Sequence, residues 1–278
     1  TKQKTGCIAI GSTVGQNVSG TNTIAIGGKK TGNSSAENAI AIGLSTAINA
    51  QQRQAIAIGT NAGSTSQTSN AIAIGTSAGS QTQGGNAIAI GESAGNINQL
   101  KHAIAIGTKA GETKQQDGAT AIGYFAGNKD QNSGAIAIGL TAGQNDQSNN
   151  SIAIGTRAAN SNQEPQAIAA GLNSGETDQS DNSVAIGTGA GLSSQDRLSV
   201  AIGGLAGAYD QSANSVAIGL SAGQDNQGGD SVKETQGELV CKNNFPSQPV
   251  GFWNDNNNRN YYENYFSKFN NIWHHGDF

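Results

Sequence analysis

Small and β-branched residues alternate along this chain in short bursts, and each burst closes on a glycine. The tetrapeptide Ile-Ala-Ile-Gly, or a near variant, ends at Gly11, Gly27, Gly43, Gly59, Gly75, Gly91, Gly107, Gly123, Gly139, Gly155, Gly171, Gly187, Gly203 and Gly219, so 14 copies follow one another at 16-residue intervals without insertion or deletion. The residue before the glycine is Ile in 13 copies, with Ala170 the exception; two before it stands Ala in all 14; three before it stands Ile or Val in 13, with Thr120 the exception. Four before it the residue is small, from Cys7 and Thr23 to Ala or Ser in the later copies. Small, branched, small, branched is the period-two signature of a strand, and Ile and Val suit a pleated surface because their side chains are stiff. The closing glycine permits a turn that needs positive φ. A register that never drifts means that each unit stacks on the one before it.

A weaker half follows each strand. Ala lies three after the landmark glycine in ten copies, Ala62, Ala78 and Ala94 among them. Gln lies eight after it in 12 consecutive copies: Gln51, Gln67, Gln83, Gln99, Gln115, Gln131, Gln147, Gln163, Gln179, Gln195, Gln211 and Gln227. Asn, Ser, Asp and Gly fill the remaining places, as they do in turns. A helix is disfavoured there, since each glycine costs about 1 kcal/mol relative to Ala. The expected fold is all-β: a parallel β-solenoid, or β-roll, of 14 coils of 16 residues over residues 1–230, followed by a non-repeating segment over 231–278. Coils about 4.8 Å apart give a rod roughly 67 Å long.

Which face of the strand is interior follows from residue size. The Ile and Val columns read as the core, because burying each such side chain contributes about 2 kcal/mol. The unbroken Ala column then demands close approach of other backbone on the opposite face, from the far wall of the same coil or from another subunit; with the core already assigned, the subunit interface is favoured. The Gln column reads as an amide ladder, each side chain bonded to the next along the axis as in stacked cross-β arrays, with a ligand-binding stripe as the alternative.

Composition removes several function classes. Glycine is 40 of 278 residues but does not recur every third position, and only three Pro are present, which excludes collagen. A net charge of -4 with no cluster of Lys and Arg argues against nucleic acid, and no apolar run approaches the ~18 residues of a membrane helix. His102 stands at a turn with no Cys or His at ligand spacing, and His274, His275 and Asp277 are too close in sequence to converge easily on a metal. Asp130, Asp146, Asp178 and Asp210 share a column beside the Gln column, without the Gly-Gly-x-Gly-x-Asp pattern of calcium-binding solenoids, and read as a solvated turn face. Thr follows the landmark glycine only at Thr60, Thr76, Thr108, Thr156 and Thr188, too irregular an array for ice binding. No nucleophile–base pair is present and no cofactor motif, so the expectation is a non-enzymatic protein without cofactor or metal.

The ends differ from the middle. Lys233 and Glu234 fall in the Ala and Ile columns of a fifteenth coil, where unpaired charges would be buried, so the roll should stop. Ten of the 13 aromatic residues lie in 239–278, with Trp253, Tyr261, Tyr262, Tyr265, Phe266, Phe269 and Trp273 among them. They read as a cap over the last coil or as a docking element whose aromatics anchor in a partner. Since Ile8 enters the first coil almost at once, an open coil end facing an aromatic end suggests head-to-tail association into an open filament. Such packing would bring Cys7 of one subunit near Cys241 of the next; a bridge within one chain is excluded by the length of the rod. With no Met at all, the sequence reads as having lost an N-terminal segment or as starting inside a longer product.

Asn182–Gly187 and Asn214–Gly219 both spell Asn-Ser-Val-Ala-Ile-Gly, and Asn38–Gly43, Asn70–Gly75 and Asn86–Gly91 read Asn-Ala-Ile-Ala-Ile-Gly. In tandem over about residues 6–230 this resembles the head repeats of trimeric autotransporter adhesins, and the 16-residue unit with its Ala-Gly and Gln columns is similar to repeats in phage and giant-virus fibre-like proteins. The resemblance implies a left-handed parallel β-roll, three rolls side by side, and adhesion to a host surface. Together these readings predict a structural subunit of an extracellular fibre, assembling with itself head to tail or as a side-by-side trimer; the alternative is an adhesive head or shaft on a cell or virion surface.

Overall fold

A computed structural model describes residues 4–14, 20–28, 31–32 and 35–224, together with two short strands further on. The chain divides into two units, Thr1–Asn226 and Gln227–Phe278. In the second, Leu239–Cys241 pairs antiparallel with Trp273–His275. The first is an all-β parallel solenoid whose first wall is a sheet of 14 strands and whose second wall is a sheet of nine.

One turn of the coil shows how the sequence builds it. Ile104–Ile106 is a first-wall strand and Thr113–Gln115 the second-wall strand of the same turn. Sixteen residues on, Ile104 pairs with Thr120, Ala105 with Ala121 and Ile106 with Ile122; on the other wall Thr113 pairs with Lys129 and Gln115 with Gln131. The walls are only three residues wide, so the chain must turn often. It does so at His102 (φ 59°), Gly107 (φ 124°), Lys109 (φ 58°), Gly111 (φ 52°) and Lys114 (φ 55°), all with positive φ. Lys114 is the middle residue of its strand, so the second wall is bent at its centre.

These corners explain columns that periodicity alone leaves unassigned. The residue five before each landmark glycine is left-handed throughout, as at Asn22, Asn38, Asn70, Asn86, Asn150, Asn182 and Asn214. Asn tolerates this conformation because its short amide can bond locally. His102 occupies the same corner for the same reason, and its ring nitrogen lies 3.4 Å from Asn86 Nδ2. Leu198 is the misfit, held at φ 56° with half its side chain exposed. Leu198→Asn is therefore expected to raise stability by about 1 kcal/mol. A melting temperature no higher than that of the parent would show that the corner is not strained.

The interior is the reverse of the sequence expectation. Ala105, with Ala103 and Ala110, is fully buried, as are its equivalents in neighbouring coils, and the Ala105 and Ala110 columns form a core along the axis from Ala41 to Ala169 that resumes from Ala185 to Ala217. The Ile and Val side chains point outward: in the interior turns the Ile before the glycine is 36% to 43% exposed, from Ile90 to Ile202. The Ala column is thus the meeting place of the two walls of one coil, not a subunit interface, and the Ile columns are not its core. The reason is room. A 16-residue turn with three-residue walls leaves space for one methyl group from each side, and a branched side chain there would force the walls apart.

Candidate functional site

The coil has two built features that run its whole length: the amide column inside and the aliphatic face outside. Inside, Gln51, Gln67, Gln83, Gln99, Gln115, Gln131, Gln147, Gln163, Gln179 and Gln195 are all buried to 1% or less, and Gln211 nearly so. From Gln51 to Gln195 each Nε2 donates to the Oε1 sixteen residues further on, as Gln115 to Gln131 and Gln131 to Gln147, both at 3.0 Å. The same Nε2 reaches across the coil to a first-wall carbonyl: Gln115 to Ile104 O at 2.8 Å, Gln131 to Thr120 O at 2.9 Å. At the start of the column Ser35 Oγ donates to Gln51 Oε1 at 2.8 Å. Each glutamine therefore fastens the bend of the second wall to the first wall of its own turn and to the next turn. A ligand could reach these amides only by opening the coil. Gln227 lies outside the described residues.

Outside, the two Ile and Val columns of the first wall form an uncharged strip. The residue after the landmark glycine widens it in places, with Leu44, Tyr124, Leu140, Leu172 and Leu220 all exposed. Tyr124 packs edge-on against Phe125, with 4.5 Å between ring centroids, and Lys109 Nζ sits 5.0 Å from the centre of the Phe125 ring. Elsewhere the described surface is largely polar, with Leu198 and Tyr209 as exposed exceptions. Lys114 bridges Asp130 at 2.9 Å, and hydrogen bond and charge together hold the Lys114 ammonium above its ordinary value. Asn162 Nδ2 donates to Asp178 Oδ1 at 2.8 Å. The Asp column thus lies along an exposed left-handed corner. Among the described residues no group of three or more His, Cys, Asp or Glu is placed to hold a metal ion. A shallow depression of about 550 Å³ opens where Gly84 and Gly85 leave a gap between Thr68 and Ser69 on one side and Leu100 and Lys101 on the other.

Of the residues singled out for assembly, Cys7 is partly buried at the small-residue position of the first coil, accepting a hydrogen bond from Thr23 Oγ1 at 3.1 Å. Burial pushes this thiol up, but the Thr23 hydrogen bond and the backbone contacts around it outweigh that and leave it below its ordinary value. Cys241 and Trp273 belong to the strands of the second unit; Trp253, Tyr261, Tyr262, Tyr265, Phe266 and Phe269 lie outside the described residues. The outward aliphatic face is the feature that the sequence reading missed, because it had placed those side chains in the core.

No family model matches the chain, and no solved structure does. Curated proteins match over a short stretch. Acetoacetyl-coenzyme A synthetase of Rhizobium meliloti is 51% identical over 53 residues, which is 19% of this chain and 8% of that enzyme. The acetoacetyl-CoA synthetase of Xenopus tropicalis is 49% identical over 53 residues, and that of Mus musculus 50% over 50 residues. The chain spans about 8% of the length of these curated relatives. This corrects the expectation of a non-enzymatic chain: one-fifth of the sequence shares half its residues with an enzyme.

Proposed function

We propose that the solenoid is the stiff shaft of an extracellular or surface fibre, extended through its coil ends and the aromatic segment. The observation that carries this reading is the unbroken 16-residue register, which stacks the strands of 14 copies into one parallel sheet. Stability in such an array comes from nearest-neighbour contacts, so length is limited only by what meets the ends. At the N-terminal end all five residues of Ile8–Ser12 are exposed, and at the other Val216, Ile218 and Leu220 are each at least 65% exposed. An open parallel edge of this kind is a template for further pairing. Binding of a host surface by the same shaft is the alternative, and the resemblance to adhesin heads supports it. Negative-stain microscopy of the full chain tests the proposal: unbranched filaments much longer than one rod are expected, and a field of single rods would overturn it.

The synthetase match favours a second element in the same protein. An alignment inside the repeat would recur every 16 residues, whereas the non-repeating unit Gln227–Phe278 is close in length to the 53-residue match. We infer that the enzyme-like stretch is this C-terminal unit and that it contributes to recognition of coenzyme A or an acyl derivative. Calorimetric titration of the full chain with coenzyme A should give a saturable heat; a flat isotherm would overturn this part and leave the shaft untouched.

A further inference from the structure

We propose that the corner formed by Tyr124 and Phe125 is a binding site for the pyranose ring of a carbohydrate. Three aromatic residues fall within the solenoid, Tyr124, Phe125 and Tyr209, and two of them are neighbours in one coil. The same coil carries Thr120, the one polar residue in the outward aliphatic columns, so a single turn midway along the rod departs from the repeat at three positions. The fold does not ask for the aromatic pair. Phe125 is held at φ 56°, in the left-handed region where a bulky side chain is a rare outlier. The same corner is made at Asn61 (φ 56°), Ser77 (φ 56°) and Ser93 (φ 54°) by small polar residues. A disfavoured residue kept at a surface corner points to use rather than to stability.

The surroundings name the ligand class. Tyr124 is 53% exposed, yet its ring rests edge-on against Phe125 with 4.5 Å between centroids, and Lys109 Nζ lies 5.0 Å from the centre of the Phe125 ring. The result is a firm aromatic platform that keeps half of Tyr124 in water. Polar groups of both kinds border it. Thr108 and Glu92 stand one and two coils back in the Tyr124 column, about 5 and 10 Å away along the axis, and Lys109 stands beside Thr108. A pyranose matches this set. One face of the ring is a patch of C–H groups, which packs on the electron-rich face of an aromatic ring. Its hydroxyls radiate from the rim, toward a carboxylate that accepts and toward an ammonium and a hydroxyl that donate. A free organic cation would meet Lys109 already seated over Phe125, and a nucleic acid would find too little positive charge on a chain of net charge -4.

A single rod carries the whole site, so the proposal goes beyond the shaft reading and stands whether or not rods join end to end. Saturation-transfer-difference NMR on the full chain tests it, with the methyl pyranosides of glucose, galactose and mannose as probes at ~20 mM, where a ligand of millimolar affinity is bound. At least one should receive saturation, strongest on the C–H protons of one ring face. Tyr124→Leu should reduce that transfer at least tenfold, and it should fold, because Leu44, Leu140 and Leu172 fill the same column. Phe125→Ser, which restores the residue of the Ser77 and Ser93 corners, should weaken the transfer by freeing the Tyr124 ring. Tyr209→Ala should leave it unchanged. No transfer to any of the three probes, equal transfer in Tyr124→Leu and the parent, or loss of transfer in Tyr209→Ala alone would each overturn the proposal. Saturation of tetramethylammonium in place of the pyranosides would overturn it too, and would make the corner a cation site.

Discussion

Adding one methyl group at Gly123 should cost the solenoid more than adding a methyl group almost anywhere else. A Cβ built on this residue would stand 2.3 Å from the carbonyl oxygen of Gly139 in the next coil, at φ 132°. The neighbouring landmarks are as tight: at Gly107 and Gly139 the corresponding distance is 2.5 Å. The obstacle is backbone that itself bonds along the stack, with Gly123 N donating to Ile106 O and Gly139 N to Ile122 O, both at 2.8 Å. No side chain can rotate away to make room. Gly123→Ala must therefore lengthen the spacing of two coils or break those bonds, and a loss above about 3 kcal/mol is expected from backbone strain and lost hydrogen bonds together. Gly118→Ala is the matched control. Gly118 also has positive φ, at 68°, but a Cβ there would meet nothing within 4 Å. It should cost only about 1 kcal/mol, the ordinary penalty of a left-handed alanine. Urea melts of the two variants decide the matter: if they unfold at the same midpoint, close packing does not explain the landmark glycines.

The strand, its glycine end, the stacking and the coil length were all legible in the sequence, because a 16-residue period without drift has one simple geometric solution. The side of the strand that faces inward was not. An alternation of Ala and Ile is the same pattern from either face, and the size argument, which places large aliphatics inside, points the wrong way in a coil this thin. The sequence does contain the distinguishing sign. The Ile columns admit Thr120, Ala170 and Val184, whereas the Ala column admits nothing. Intolerance marks the crowded interior, and variation marks the face with room. The aromatic segment was legible as a different material, but the likeness of one-fifth of the chain to an enzyme was not. That likeness is carried by identities spread over some 50 residues, with no spacing of chemical groups that physical reasoning would single out.

The amide column carries the second large effect, and here charge separates a buried ladder from a solvated one. Gln131 Oε1 accepts from Gln115 Nε2, while Gln131 Nε2 donates to Gln147 Oε1 and to Thr120 O. Gln131→Leu keeps most of the volume but strips Gln147 Oε1 and Thr120 O of a donor inside the coil. At about 1–3 kcal/mol for each buried group left unpaired, a loss near 3 kcal/mol is expected. Gln131→Glu keeps the shape and replaces the donating amide with a second oxygen. Only the protonated acid can donate to Gln147 or Thr120, and an ionised carboxylate there would face two acceptors without water. Its folded-state pKa is therefore raised above the ~4.3 of an unfolded glutamate. Below that value both states are protonated and the variant should resemble a mildly weakened parent. As pH rises past it, the unfolded chain gives up its proton while the folded one keeps it, and stability falls by up to about 1.4 kcal/mol per pH unit until the folded pKa is reached. Gln131→Glu should thus melt well below its own pH 4 value when heated at pH 7, whereas Gln131→Leu should show no comparable extra loss relative to the parent. If Gln131→Glu instead followed the parent's pH profile, water would have to reach the column, and the ladder could not then be what ties the bent wall to the straight one.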